Sequence, residues 1–152
     1  MPATEKCDII VIGGGSAAFD AAVSAKKAGA ERIVMLEKAP EAEYGGNARF
    51  SGTGFRFVHG GAREIREFIP DVDDKTFATM HIPAYSAADF SADLARMTEG
   101  RMNRELASTL IEESNSAVHW MRDVGIKWEP LKEHAKVDGK LYFERGIAIH
   151  VA

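Results

Sequence analysis

Hydrophobic positions change their spacing several times along the chain, and each change predicts a different element. Ile9, Ile10, Val11 and Ile12 form an unbroken β-branched run behind Cys7 and Asp8, which predicts a short buried strand. An alanine-rich stretch over 17–28 then predicts a helix closed by Gly29, and residues 32–36 predict a second buried strand ending on Glu37. Further on, residues 63–69 fit a short helix closed by Pro70-Asp71, and residues 80–85 an extended connection containing Pro83. Ser86, with Asp89 three residues later, has the spacing of a capping box and predicts a helix to about Thr98, where Gly100 interrupts. A longer helix starts near Asn103. Its apolar stripe is Leu106, Leu110, Ile111, Val118, Met121 and Val124, and it stops at Gly125. Residues 126–128 predict a strand, and Asp138-Gly139 predicts a hairpin turn between short strands around 137–141.

The first strand runs directly into Gly13, Gly14, Gly15, Ser16, Ala17 and Ala18, a G-x-G-x-x-A turn. Gly13 permits a sharp exit from the strand, Gly15 lets backbone N–H groups approach phosphate oxygens, and a small Ala18 lets helix and sheet pack closely. The helix that follows presents its unpaired N–H donors to the anion. Glu37 stands at roughly the twenty-residue offset at which an acid meets a ribose hydroxyl, the alternative being a solvated strand end. With a strand before, a helix after and an acid at this spacing, residues 7–38 are read as a nucleotide-binding βαβ unit.

Glycine density rises again over 44–61. Gly45, Gly46, Gly52, Gly54, Gly60 and Gly61 are six of the fourteen glycines of the chain, interleaved with Asn47, Arg49, Ser51, Thr53 and Arg56. Positive φ angles and close approach to a ligand both suit a loop lying along a bound cofactor. A flexible surface loop is the alternative, against which Phe50, Phe55, Phe57 and Val58 are unusually apolar.

Composition narrows the classes. Of 152 residues, 45% are hydrophobic and 28% charged, enough apolar material for a packed core. Net charge is -4 with acids and bases interleaved, so there is no basic footprint for nucleic acid or an anionic membrane. Cys7 is the single cysteine, so no disulfide forms within the chain. No apolar run reaches membrane-spanning length and no leader precedes the first strand, so a cytoplasmic location is expected. His59, His81, His119, His134 and His150 lack metal-ligand spacing, and Asp73-Asp74 fits a solvated turn better than a metal site.

At residues 8–38, and again at 44–57, the chain resembles the flavoprotein family of fumarate reductases, succinate dehydrogenases and 3-ketosteroid dehydrogenases. Within it the resemblance is strongest to the tricarballylate dehydrogenase branch. It rests on Ile12-Gly13-Gly14-Gly15-Ser16-Ala17-Ala18, Leu36-Glu37-Lys38-Ala39-Pro40, Gly45-Gly46-Asn47-Ala48-Arg49 and Ser51-Gly52-Thr53-Gly54. Thr98-Glu99-Gly100-Arg101 and Trp120-Met121-Arg122-Asp123-Val124-Gly125-Ile126 agree more loosely. The resemblance implies FAD. It places the pyrophosphate on Gly13, Gly14, Gly15, Ser16 and Ala17, the adenosine ribose on Glu37 beside Lys38, and the flavin side along Gly46, Asn47, Ala48, Ser51, Gly52, Thr53 and Gly54. Members with covalent flavin carry a histidine near Asn47; none lies between Tyr44 and Phe57 here, so the FAD is expected to be non-covalent. Many members have a hydroxyl residue at Ala48, so a phosphate contact is expected to be absent or taken over by Ser51.

The expected fold class is α/β, a Rossmann-like FAD-binding domain with a three-layer, mostly parallel sheet that is incomplete in this chain. Residues 1–152 are read as its N-terminal part: the βαβ unit over 7–38, the glycine-rich loop over 44–61, helices over 86–125 and a hairpin region over 126–152. Family members run to several hundred residues, so a fragment or truncated product is expected, with catalytic residues beyond residue 152 and the missing C-terminal part as a partner. The intact protein is expected to be an oxidoreductase acting on a CH–CH bond next to a carboxylate or ketone, its substrate a small molecule, probed here only by Arg56 as a candidate carboxylate clamp. Surface charge is the alternative for Arg56. An NAD-binding module and a non-catalytic remnant are the competing functions.

Overall fold

The computed structural model describes residues 5–131, 135–143 and 146–152. His134 lies outside them. The chain divides into two compact units, Met1–Gly52 and Thr53–Ala152.

In the first unit, β1 (Ile9–Ile12) pairs in parallel with β2 (Ile33–Leu36), Ile9 opposite Ile33 and Ile12 opposite Leu36. The crossover is α1 (Ser16–Lys27). Gly13 N–H donates to the Leu36 carbonyl at 2.7 Å, extending the ladder to the first glycine of the turn. A second fastener sits at the other end. The Asp8 carboxylate accepts from the N–H groups of Glu31 and Arg32, at 2.8 and 2.9 Å, and the Arg32 and Glu31 bonds hold its pKa below the usual value. The two strands are less buried than their sequence suggests. Val11 and Ala18 are buried, whereas Ile10, Leu36 and above all Ile12, 86% exposed, are not. A pair of strands with one helix covers one sheet face only, and among the described residues the nucleotide sheet has no third parallel strand.

The second unit contains α2 (Ala62–Phe68), α3 (Asp74–Phe77), α4 (Ala87–Met97) and α5 (Arg104–Asp123). Its strands are β3 (Met80–His81), β4 (Trp128–Pro130), β5 (Ala135–Val137), β6 (Lys140–Tyr142) and β7 (Ile149–Val151). They form two small sheets, ordered β3-β6-β5 and β4-β7, with β3 parallel to β6 and the other pairs antiparallel. The class is therefore α/β with mixed small sheets.

Local signals explain the boundaries. The Ser86 hydroxyl accepts from Asp89 N–H while the Asp89 carboxylate accepts from Ser86 N–H, a complete capping box. Asn103 caps α5 through Leu106 N–H. Asp73, read as solvated turn, caps α3 through Thr76 N–H. Asp138 and Gly139 both take positive φ, 49° and 78°, as a two-residue hairpin between right-twisted strands requires.

The core of this unit is built on Phe57, Ile65, Ile69 and Ile149, with Phe68, Val118 and Trp128 around them. Phe57 is completely buried and meets Phe68 edge-on at 5.8 Å. The second half of the glycine-rich run is thus core, which accounts for its aromatic residues. The stripe expected on α5 needs correction. Its buried residues are Ala107, Ile111, Ser114 and Val118, while Leu106 and Leu110 are 71% and 51% exposed. Spacing of four, three and four selects a face through Ala107, one position round from Leu106, and the size of the leucines does not override it.

A candidate dinucleotide site

Two glycine turns and one carboxylate build the site in the first unit. Gly15 takes the N-cap place of α1 with extended backbone and offers no side-chain cap, and α1 has no acid in its first turn. Both α4 and α5 differ on each count, being capped by Ser86 and Asn103 and carrying Asp89 and Glu105 in their first turns. The N–H groups of Ser16 and Ala17 accordingly have no acceptor among the described residues, and the positive end of the α1 dipole is not neutralised.

Glu37 lies beneath this turn. A Cβ built at Gly14 would stand 2.8 Å from Glu37 Oε2 and 3.4 Å from its Cγ, so a side chain there would displace the carboxylate from its present place. The other carboxylate oxygen accepts from Ala39 N–H at 2.8 Å. That bond, with further help from Gly14 and Lys38 N–H groups, lowers the Glu37 pKa and keeps it ionised. It is an acceptor held in place, as a ribose diol requires. Lys38 points to solvent.

The second glycine pair closes on the first. Gly45 and Gly46 take positive φ, 118° and 58°, and a Cβ at Gly46 would come within 3.4 Å of Gly15 Cα. Gly46 opens a 3-10 turn, Gly46–Phe50, that contains Asn47, Ala48 and Arg49, all exposed, and Arg49 donates to the Ala42 carbonyl. Ser51 follows it. Its hydroxyl donates to the Ala48 carbonyl at 3.0 Å, so its proton is directed to the chain itself. The structure thus brings together Gly13, Gly14, Gly15, Ser16, Ala17, Glu37 and Gly46 around one turn, with Asn47, Ala48, Ser51 and Gly52 running on from it.

Thr53 and Gly54 open the second unit. Thr53 has φ 56°, an unusual value for a β-branched residue, and its hydroxyl lies 3.4 Å from Nδ1 of His150. Gly54 bridges His150, and a side chain there would press on Ile147 and Leu131 at 3.1 and 3.3 Å. His150 is buried, with Nδ1 2.8 Å from the Val151 carbonyl and Nε2 3.8 Å from the Glu129 carboxylate. Arg56 reaches Met97 Sδ at 3.4 Å and Asp93 at 3.7 Å. Asp93 also accepts from the Tyr85 hydroxyl at 2.9 Å, and burial together with this acid pushes the Tyr85 pKa up to about 12.

Sequence reasoning missed two participants. Ala39 acts through its backbone N–H, for which no side-chain signal exists, and Gly45 stood in the Gly45–Arg49 motif without being assigned a place in the site. The described residues contain no group of three His, Cys, Asp or Glu side chains placed to hold a metal ion, and no helix long and apolar enough to cross a membrane.

Residues 8–146 match the family described as FAD binding domain. The chain is 30% identical over 146 residues to a probable fumarate reductase, Ifc3, of Shewanella frigidimarina, covering 89% of this chain and 20% of that protein. It is 29% identical over 124 residues to the digoxin reductase of Eggerthella lenta, covering 80% of this chain and 19% of that protein. The chain therefore spans about a fifth of the length of these relatives.

Proposed function

We propose that this chain, which belongs to the FAD binding domain family, is the N-terminal FAD-binding portion of a flavin-dependent oxidoreductase. The observation that carries this is the packing of ionised Glu37 beneath Gly14, directly under an α1 N-terminus with no cap and no acid of its own. Pyrophosphate oxygens would meet the N–H groups of Gly15, Ser16 and Ala17, and the adenosine ribose would meet Glu37. The flavin side would follow Gly46, Asn47, Ala48, Ser51 and Gly52, with Thr53 and Gly54 continuing the same run in sequence. These residues fit the group: the N–H groups of Ser16 and Ala17 have no acceptor among the described residues and α1 has no acid in its first turn, and Glu37 is an ionised acceptor held beneath Gly14. Ser51 would serve as an acceptor, since its own proton goes to Ala48. With no histidine between Tyr44 and Phe57, the cofactor would be held without a covalent bond.

When bound, FAD supplies hydride transfer at the flavin ring, and the chain contributes binding and orientation. We infer that the intact protein acts on a CH–CH bond beside a carboxylate or ketone, with tricarballylate- or fumarate-like substrates favoured by the family resemblance. Both relatives are named as reductases, which supports the oxidoreductase class. Arg56 is retained as a carboxylate clamp, and a substrate carboxylate there would compete with Asp93. The βαβ unit would begin a Rossmann-like three-layer sheet, and catalysis would need residues from the remainder of a longer protein. The single, half-buried Cys7 fits a reducing, cytoplasmic setting.

The test is a visible spectrum of the purified chain before and after FAD addition, followed by gel filtration. Flavin that co-elutes with the protein, and leaves it on denaturation, supports non-covalent FAD binding. A folded chain that retains NAD and passes FAD through would replace this reading with an NAD-binding module.

A further inference from the structure

Arg56 is a cation most of whose hydrogen bonds are unspent. Its side chain is only 19% exposed, and its buried Nε–H has no acceptor among the described residues. Nη1 donates to the Met97 thioether at 3.4 Å, the one hydrogen bond of this guanidinium among the described residues, and a thioether is a weak acceptor. Its ion-pair partner, Asp93, stands at 3.7 Å, near enough to balance the charge but too far to accept a hydrogen bond.

Asp93 is held at that distance from two other sides. Tyr85 is fixed by paired backbone bonds with His59, at 3.1 and 2.9 Å, and by its ring, which leaves no room for a Cβ at Gly146. From this place its hydroxyl donates to Asp93 Oδ2 at 2.9 Å. Oδ1 accepts from Arg96 Nη2 at 2.8 Å. Asp93, Arg96 and Met97 are three and four residues apart on α4 and share one helix face. Asp89, one turn earlier, is engaged in the Ser86 cap. One carboxylate thus lies between two guanidinium groups, and these three side chains sum to one net positive charge. Because both guanidiniums reach the oxygens of a single carboxylate, the two ends of a four-carbon dicarboxylate can span them with a hydrogen bond at each end.

We propose that Arg56 and Arg96 form a two-arginine site for a ligand with two carboxylates, with Asp93 as the placeholder between them. This rests on the reading of Arg56 as a carboxylate clamp and adds a second anchor to it. One ligand carboxylate displaces only the Met97 sulfur, and its charge-assisted hydrogen bonds with Arg56 are stronger than the bond to sulfur. The other replaces Asp93 at Arg96, whose side chain is 54% exposed, an ion pair of the kind that is readily exchanged. Asp93 keeps the Tyr85 hydroxyl throughout.

The experiment titrates the whole isotope-labelled chain with succinate and, separately, with butyrate at constant ionic strength, following the arginine Nε–H signals by NMR. Succinate should bind at least about threefold more tightly than butyrate. Arg96→Gln, at a half-exposed position, should lower succinate affinity to that of butyrate, and Arg56→Gln should abolish binding of both. Asp93→Asn keeps an acceptor for the Tyr85 hydroxyl but removes the competing charge, so both ligands should bind at least about threefold more tightly. Circular dichroism melts establish that each variant is folded. Equal affinities in the parent chain, or indifference to Arg96→Gln, would overturn the two-arginine site and leave Arg56 as a clamp for one carboxylate. Absence of binding by either ligand would overturn both the site and the Arg56 clamp, while FAD retention on gel filtration would still decide the cofactor reading. Weaker binding in a folded Asp93→Asn chain would make Asp93 a support for Arg56 and overturn its placeholder role.

Discussion

Replacing Gly61 with alanine tests whether close backbone approach, the reason invoked for the glycines of the cofactor turn, has measurable force in this protein. Gly61 stands just before α2 with φ 91° and ψ -155°, a region open essentially to glycine alone. A Cβ there would lie 3.0 Å from both the Ile82 carbonyl oxygen and the Ala84 nitrogen. Neither neighbour can rotate away, because both are backbone and the Ile82 carbonyl already accepts from Ala62 N–H at 3.0 Å. The conformational part is about 1–3 kcal/mol, and overlap with fixed atoms adds about 1–3 kcal/mol. Gly61→Ala should therefore destabilise the second unit by about 2–6 kcal/mol. Gly125 supplies the control: its φ is 103°, but a Cβ would meet nothing within 4 Å, leaving only a conformational loss of about 1–2 kcal/mol. Urea melts of both variants, followed by emission of Trp120 and the buried Trp128, both in the second unit, measure the difference. Equal losses at the two sites would show that the Ile82–Ala84 backbone moves aside, and would refute the steric argument.

Three other outcomes follow from the same geometry. Glu37→Gln keeps an acceptor for Ala39 N–H but removes the charge offered to the ribose, so the chain should melt normally and bind FAD at least about tenfold more weakly in a flavin fluorescence titration. Parent-like affinity would remove Glu37 from the site. Gly46→Ala, at φ 58° and 3.4 Å from Gly15 Cα, should lower stability by about 1–2 kcal/mol and weaken FAD retention on gel filtration; unchanged retention would mean that the second glycine turn does not shape the site. Stability should also fall in acid in two stages. Burial holds His59 neutral, with its pKa below the ordinary 6.5, so above that value it contributes no dependence. As pH drops through 6.5 the unfolded chain takes the proton first, and stability declines by at most about 1.4 kcal/mol per pH unit. Glu64 adds a second stage. Burial raises its pKa, but Gly60 N–H, Asn115 and His119 outweigh that and leave it below 4.5, so its contribution is full above 4.5 and is lost as pH falls further. Urea midpoints across this range, compared with His59→Gln, should show the first limb flattened in the variant. A parallel curve would assign the limb to another group.

Much of the candidate site was legible because it depends on local backbone needs. The turn after β1, the strand, helix and acid spacing, the capping box at Ser86 and the Asp138-Gly139 hairpin each follow from residues within a few positions of one another. Gly13, Gly15 and Glu37 stand where the spacing put them. The sequence could also indicate that Phe55 and Phe57 were too apolar for a free loop, though not where they would go.

Other features needed contacts between distant segments. The Asp8 carboxylate meets the N–H groups of residues 31 and 32, and Ser51 gives its hydroxyl proton to Ala48 instead of keeping it for a phosphate. The glycine-rich run is divided after Gly52, its second part joining the core through Phe57 and pairing Gly54 with His150. On α5, periodicity alone allowed two overlapping apolar stripes, and packing buried the one through Ala107 while leaving Leu106 and Leu110 exposed. Sequence by itself determined the elements and the nucleotide turn, because helix caps, positive φ angles and strand runs are set by neighbouring residues. Only the tertiary structure decided which faces are buried and which acids and hydroxyls are occupied, because those depend on partners brought together from across the chain.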